Sequence, residues 1–95
     1  MDIAKSDVVR SAAGRDKGNL FFVLETEGEF LLLADGRRRR VERPKRKKRR
    51  HVESVAAPTT PAAGKIRGGE QISNCELRRT LAYLRGIIGN PDQEG

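Results

Sequence analysis

The chain has 95 residues, of which 36% are hydrophobic, and it carries a formal net charge of +7 and a single cysteine. This length allows one small domain with appendages and leaves little room for a deep catalytic cleft. A single cysteine excludes an intramolecular disulfide and any metal site built from several cysteines. No apolar stretch approaches the roughly 20 residues needed to cross a bilayer, and residues 1–7 lack the apolar core of a signal peptide. We therefore expect a cytoplasmic protein without a membrane partner.

The first half of the chain predicts β-strands. Residues 7–12 and 19–26 are apolar runs on either side of a polar loop, and a tight turn leads into a third run at residues 29–34. The second and third runs are continuously apolar, which in so small a unit indicates strands covered on both faces. Residues 52–55 could return a final strand. We expect a mainly β domain over residues 1–56, folded as a small closed or nearly closed barrel.

The loop between the first two predicted strands has the composition of a phosphate-facing turn. It reads Gly14, Arg15, Asp16, Lys17 and Gly18, and we call it the glycine loop. Glycines adopt positive φ readily and let the backbone approach a ligand, while the two cations suit a phosphate. Taken alone, the loop fits an ordinary polar hairpin equally well. An acid repels phosphate, so we expect Asp16 to accept loop amides or to pair with Arg15 or Lys17.

A dense run of positive charge, which we call the basic arm, covers residues 37–50. It holds 11 Lys or Arg and one acid, Glu42, so that the other 81 residues carry 9 basic and 12 acidic groups. Positive charge concentrated on an otherwise slightly acidic chain favours a polyanion partner. Arg outnumbers Lys by 8 to 3 in the arm, and guanidinium groups suit folded RNA because they bind phosphate in a two-pronged geometry and stack on unpaired bases. We expect the arm to be loose in the free protein and ordered on RNA.

The second half of the chain predicts a linker and one helix. Residues 57–72 are rich in Ala, Pro, Thr and Gly, and hold too few apolar residues to offset the entropy of ordering, so we expect a flexible linker. Residues 73–89 predict an amphipathic helix that opens with a sequence resembling a capping box and is followed by a tail at 90–95. Its apolar face either docks on the barrel or binds a partner or a second copy. The residues of that face are Leu77, Leu81, Leu84 and Ile88.

The sequence offers no catalytic constellation. His51 is the only histidine, and no carboxylate cluster accompanies it. The Ser and Thr residues have no base partner, and the glycine loop lacks the spacing of a Walker motif. We expect a protein that is not an enzyme and that uses no metal or cofactor. The aromatic residues Phe21, Phe22 and Phe30 are expected in the barrel core, so that recognition would depend on the shape of the RNA backbone rather than on base stacking.

Residues 8–20 resemble the KOW motif, in which apolar residues lead into a glycine loop whose second glycine opens the next strand. Residues 32–36 and 50–53 are similar to segments of the KOW proteins of archaeal and eukaryotic large ribosomal subunits. The resemblance covers roughly residues 5–56. It implies an SH3-like β-barrel that binds structured ribosomal RNA through its loops.

The resemblance also assigns roles within the glycine loop. Gly14 corresponds to the loop glycine of that family, and Gly18 corresponds to the glycine that starts the second strand. Arg15 and Lys17 correspond to the loop cations. Asn19 departs from the pattern, because a cation is frequent at that position.

The predicted function is RNA binding without catalysis, in a ribonucleoprotein that acts in translation or ribosome assembly. The alternative is a KOW-type protein-interaction adaptor of the transcription or translation machinery, working through the C-terminal helix. The partner expected first is ribosomal RNA, with ribosomal or polymerase proteins as further partners of the helix. The predicted RNA-binding residues are Gly14, Arg15, Lys17, Gly18, Arg37, Arg38, Arg39, Arg40, Arg43, Lys45, Arg46, Lys47, Lys48, Arg49, Arg50 and His51.

Overall fold

A computed structural model describes the backbone of residues 2–88 and the side chains of residues 2–87. Five antiparallel strands form one sheet in the order β4-β3-β2-β1-β5, and two helices follow it in the chain. A single turn of 3-10 helix, Arg49–His51, joins β4 to β5. The elements are β1 (Val8–Ser11), β2 (Leu20–Glu27), β3 (Phe30–Ala34), β4 (Lys45–Lys48), β5 (Val52–Ala56), α1 (Pro61–Arg67) and α2 (Asn74–Ile88).

The mainly β character predicted for the first half of the chain is confirmed, but the sheet is open. β4 and β5 form its two edges, and within residues 2–88 no ladder of backbone hydrogen bonds joins them. The 3-10 turn between them explains the gap, because its backbone groups bond elsewhere. The Arg49 amide donates to the Glu29 carbonyl at 2.8 Å, and the His51 carbonyl accepts from the Ala12 amide at 2.8 Å.

Both faces of the sheet are covered, as the continuous apolar runs predicted. Successive side chains of a strand point to opposite faces, so the fully buried neighbours Phe21 and Phe22 belong to different apolar clusters. One cluster lies between the sheet and the helices and includes Val8, Leu20, Phe22, Ala34, Ile66 and Leu77. The other covers the opposite face and consists of Ile3, Val9, Phe21, Val23, Leu31, Leu33 and Val52.

A helix, α1, lies where we expected a flexible linker. Thr60 caps it, since its side-chain oxygen accepts a hydrogen bond from the Ala63 amide at 3.4 Å, and Pro61 occupies the first turn. Proline suits this position because its missing N–H has no helical partner there. Ala62, Ala63 and Ile66 are buried against the sheet. The prediction was wrong because two small alanines and one isoleucine cover apolar surface well when they share one helix face.

The C-terminal helix predicted at residues 73–89 is observed as α2, and it docks on the sheet. The Ser73 hydroxyl accepts from the Glu76 amide at 3.0 Å, as the first half of a capping box requires. Glu76 does not complete the box, because its carboxylate pairs with Lys65 of α1 at 2.9 Å.

The predicted partner-binding face of this helix is used inside the protein. Leu77, Leu81 and Leu84 are buried in the cluster beneath α2. They bury there because the helix is too short to be stable alone and its apolar stripe gains most by covering the sheet. Ile88 is the last residue of α2, and its side chain lies outside the described part of the chain, as do residues 89–95.

The N-terminal end of α2 holds the start of the basic arm. The Arg78 guanidinium donates to the Gly36 carbonyl at 2.7 Å, and the Asn74 side-chain oxygen accepts from the Val41 amide at 2.8 Å. Gly36 has φ of +78° and packs directly against the Asn74 carbonyl. α2 therefore holds the first turn of the arm at both of its ends, at Gly36 and at Val41.

Replacing Gly36 by Ala should destabilise the fold strongly. A Cβ at this position would overlap the Asn74 carbonyl oxygen and lie 3.2 Å from Arg78 Cγ. Because this overlap adds to the strain of a positive φ, we expect the free energy of unfolding to fall by about 3 kcal/mol or more, as measured by urea denaturation. Gly28→Ala is the matched control: φ is +61° and nothing lies within 4 Å, so only about 1–2 kcal/mol should be lost. Equal losses in the two variants would contradict the described packing of α2 on Gly36.

Candidate nucleic-acid interface

The first part of the basic arm is a folded loop, although we expected the arm to be loose. The Asp35 carboxylate oxygen Oδ1 accepts hydrogen bonds from the amides of Arg37 and Arg39, both at 2.9 Å. The amides of Asp35 and Gly36 donate in turn to the Arg39 carbonyl at 2.9 and 3.1 Å. These bonds satisfy the turn internally, so that the arginine side chains are left to project from a defined backbone.

The second part of the arm is the edge strand β4. It pairs with β3 in a register that places Lys47 opposite Leu31 and Arg46 opposite Leu32. Alternation along the strand therefore divides its cations between the two faces of the sheet. Lys45 and Lys47 lie on one face, and Arg46 and Lys48 lie on the other.

Lys47 is bonded inside the protein to the residues that lead into the glycine loop. Its side chain is buried, and its ammonium donates to the Ser11 hydroxyl at 2.7 Å and to the Ala13 carbonyl at 2.6 Å. Burial lowers the pKa of Lys47, and the nearby charges of Lys45 and Arg39 lower it further, against the opposing effect of Asp16. Its predicted role as an RNA contact does not fit this position.

Asp16 links the glycine loop to the basic arm. Its carboxylate is buried and lies 3.1 Å from Lys45 Nζ and 3.4 Å from Arg39 Nη2. Burial acts to raise the pKa of Asp16, but the hydrogen bonds and positive charges of Lys45 and Arg39 outweigh it and hold the pKa below its usual value. We expected Asp16 to pair with Arg15 or Lys17. The arm supplies its partners instead, because the fold places Lys45 and Lys47 of β4 beside the loop.

The glycine loop has the backbone that its glycines predicted. Gly14 and Gly18 have φ of +81° and +90°. The Lys17 amide donates to the Gly14 carbonyl at 3.2 Å, and the Gly18 amide donates to the Ser11 carbonyl at 2.8 Å. The turn leaves Arg15 and Lys17 exposed on either side of the buried Asp16.

Three other cations of the arm have partners within the protein. The Arg49 guanidinium donates to the carbonyls of Gly28 at 2.6 Å and Ile3 at 2.9 Å, so it holds the N-terminal segment in place. Arg40 pairs with Glu42 at 3.1 Å on the surface. Arg46 pairs with Glu27 at 3.3 Å, and its guanidinium lies over the ring of Phe30.

The remaining predicted cations are available to a ligand. Six are exposed, and within residues 2–88 their side chains form no hydrogen bond or ion pair: Arg15, Lys17, Arg37, Arg38, Arg43 and Arg50. Lys48 and His51 are half-buried. Asp16 contacts Arg39 near the start of the arm, and Ala12 contacts His51 just after its end, so both ends of the arm lie next to the glycine loop. The arrangement is a cationic surface built around that loop.

Several residues that shape this surface were missed. Ser11, Asp35 and Asn74 anchor the loop and the arm, and Phe30 lies at the surface although it was expected in the core. The sequence Asp35-Gly36 does predict a turn, since an Asp before a glycine and a polar run is typical of a side-chain-capped turn, but the role of Asp35 in anchoring the arm was not predicted. The partners of Ser11 and Asn74 are 36 and 33 residues away in sequence, so no local pattern indicates them.

Comparison with known proteins adds no relative. No protein-family model matches the sequence, and no curated protein is significantly similar to it. The resemblance to KOW proteins thus depends on the motif residues alone. Within residues 2–88 no helix is long and apolar enough to cross a membrane.

Replacing Asp16 by Asn should destabilise the protein at neutral pH and not in acid. A lowered folded-state pKa means that the ionised carboxylate stabilises the fold above the pKa of an unperturbed Asp, about 4, and that this contribution is lost as the pH falls through the lower folded value. We expect Asp16→Asn to lose about 1–3 kcal/mol at pH 7, because it leaves Lys45 and Arg39 without their acid.

Thermal denaturation between pH 7 and pH 2 measures this difference. The gap between the wild type and Asp16→Asn should narrow below about pH 4. Glu53→Gln, which removes an exposed acid on β5, is the control and should leave the stability curve nearly unchanged. A gap that stays constant through the acid range would contradict an ionised Asp16 holding the arm.

Proposed function

We propose that this protein binds folded RNA through the cationic surface around the glycine loop, without catalysing a reaction, and that it acts in translation or ribosome assembly. The observation that carries the proposal is the set of six exposed cations, in the glycine loop and the arm, whose side chains have no partner within residues 2–88. The acid of the loop, Asp16, is buried and ion-paired with Arg39 and Lys45. Phosphates are the ligands that such a surface attracts most strongly.

The cations fall into two groups, one bonded inside the protein and one exposed, and this difference supports the proposal. Lys45, Arg39 and Lys47 are held by bonds inside the protein, and they fix the loop and the arm relative to one another. The exposed arginines then need little reorganisation to meet phosphates, which lowers the entropic cost of binding. Arginine predominates among them, and its planar group suits paired phosphate oxygens in folded RNA.

The finer assignment is also part of the proposal. The open sheet, whose two edge strands are consecutive in the chain and joined by one 3-10 turn, is compatible with an SH3-like barrel of the KOW type. On that assignment the glycine loop is the RNA-binding loop of the motif, and ribosomal RNA is the first candidate ligand.

The adaptor alternative is weakened by the burial of Leu77, Leu81 and Leu84. Their face of α2 was the reason to expect a protein partner, and it now forms part of the core. Capture of partners from a nuclease-treated lysate separates the two functions. Partners that depend on RNA would disappear, whereas partners of an adaptor would remain.

RNA affinity should fall steeply with salt. If about five phosphates are neutralised, the slope of log affinity against log salt should be near −3 to −4, with the single-strand coefficient of about 0.7 per phosphate. The double variant Arg37→Ala/Arg38→Ala should weaken binding about tenfold in dilute buffer and reduce the slope by about 1.4. Fluorescence anisotropy with a labelled ribosomal RNA fragment measures both quantities.

The matched control removes the same charge from α2. Arg79→Ala/Arg85→Ala should leave the affinity and the salt slope close to those of the wild type, because neither residue belongs to the cationic surface. A slope near zero for the wild type, or an equal loss in the two double variants, would contradict the proposal. Co-sedimentation with ribosomal subunits at low and high salt then tests the ribosomal assignment.

A further inference from the structure

We infer that the Phe30 ring and the Arg46 guanidinium form a stacking site for one unpaired nucleobase of the RNA. This inference deepens the proposed function and depends on it. It changes the expected mode of recognition, because a protein that binds only the phosphate backbone needs no aromatic ring at the RNA surface.

Phe30 is the one phenylalanine outside both apolar clusters. Phe21 and Phe22 are fully buried, whereas Phe30 is half-buried at the start of β3. By alternation along the strand, Phe30 lies on the same face as Leu32 and Ala34. The cluster beneath the helices includes Ala34 but not Phe30, so side chains of β4 cover the ring instead.

Two cations of β4 surround this ring. Arg46 places its guanidinium carbon 3.7 Å from the ring centroid, and the Lys48 ammonium lies 6.0 Å from it. Lys48 is also the direct cross-strand partner of Phe30. A planar guanidinium stacked on an aromatic ring offers its outer face to a base, and a base that displaces it stacks on the ring itself.

The ion pair that holds Arg46 is weak enough for a nucleobase to displace the guanidinium from the ring. Its only ionic partner in the described part of the chain is Glu27, at 3.3 Å, and the two side chains are 58% and 47% exposed. Exposed pairs of this kind contribute little to stability. The stacking site thus combines a ring, a displaceable guanidinium and a nearby ammonium for the phosphate of the stacked nucleotide.

The stacking site lies on the same edge strand that carries cations to the glycine loop. β4 is an edge strand with Lys45 and Lys47 directed toward the glycine loop and Arg46 and Lys48 directed toward Phe30. RNA held at the glycine loop can therefore cross the open edge of β4 and place an extruded base over Phe30. Such a base is available in a bulge or a loop and not in a continuous duplex.

Two RNA hairpins of equal length and charge test the inference, one fully paired and one with a single bulged purine. The wild type should bind the bulged hairpin about 5- to 150-fold more tightly, the range that stacking of one base provides. Phe30→Leu keeps an apolar side chain without a ring, so it should lose this preference and still bind the paired hairpin as the wild type does. Tyr83→Leu removes the exposed aromatic ring of α2 and should keep the preference.

A second readout does not depend on affinity. The chain has no tryptophan, so Phe30→Trp introduces a single tryptophan, and it lies at the site. With the tryptophan excited selectively over Tyr83, its emission should be quenched by the bulged hairpin and much less by the paired one. Circular dichroism checks that each variant is folded.

Equal affinity of the wild type for both hairpins, or a preference retained by Phe30→Leu, would overturn the stacking site while leaving RNA binding intact. Failure of the wild type to bind either hairpin in dilute buffer would instead overturn the proposed function.

Discussion

The buried carboxylate of Asp16 is the group on which the cationic surface depends. It lies 3.1 Å from the Lys45 ammonium and 3.4 Å from the Arg39 guanidinium, in a chain that places 11 positive side chains within 14 positions. Like charges at such density repel one another and favour an extended segment. One internal acid, together with the carbonyl and hydroxyl partners of Lys47, reverses this tendency locally. The segment can then fold as a loop and an edge strand.

The same contacts separate structural cations from available ones. Arg39, Lys45, Lys47 and Arg49 are bound to groups inside the protein. The six exposed cations that form no ion pair within residues 2–88 are displayed on the frame that these four maintain. Binding a polyanion then requires few conformational changes in the arm. α2 contributes to this frame through Asn74 and Arg78, which connect the helix to the first turn of the arm. The helix therefore acts as a support for the cationic surface.

Local patterns were sufficient to predict four of the five strands, the C-terminal helix and the glycine loop. The strand β4 was missed because its residues lie in the basic arm, which we expected to be loose. Apolar runs, turn residues and the leucine spacing of α2 are short-range signals. The position of the glycines also predicted their positive φ, which is observed at Gly14 and Gly18. The helix α1 was missed because its apolar face consists largely of alanines, which composition alone does not distinguish from a linker. The open sheet was missed because the failure of β4 and β5 to pair depends on the geometry of one short turn.

The individual roles of the cations could not be predicted from sequence. Eleven similar side chains in one run differ only in what the fold places next to them, and those neighbours are distant in the chain: Asp16 for Lys45, Ala13 for Lys47 and Ile3 for Arg49. Phe30 shows the same limit. Its run is as apolar as that of β2, yet only the register with β4 reveals that Arg46 and Lys48, rather than apolar side chains, cover its ring.

An NMR titration of the isotope-labelled protein with a folded ribosomal RNA fragment tests the central claim most directly. The claim requires that the side-chain signals of Arg15, Arg37, Arg38, Arg43 and Arg50 shift on binding, while those of the internally bonded Arg49 change little. Shifts confined to the exposed face of α2, with the signals of the cationic surface unchanged, would contradict it.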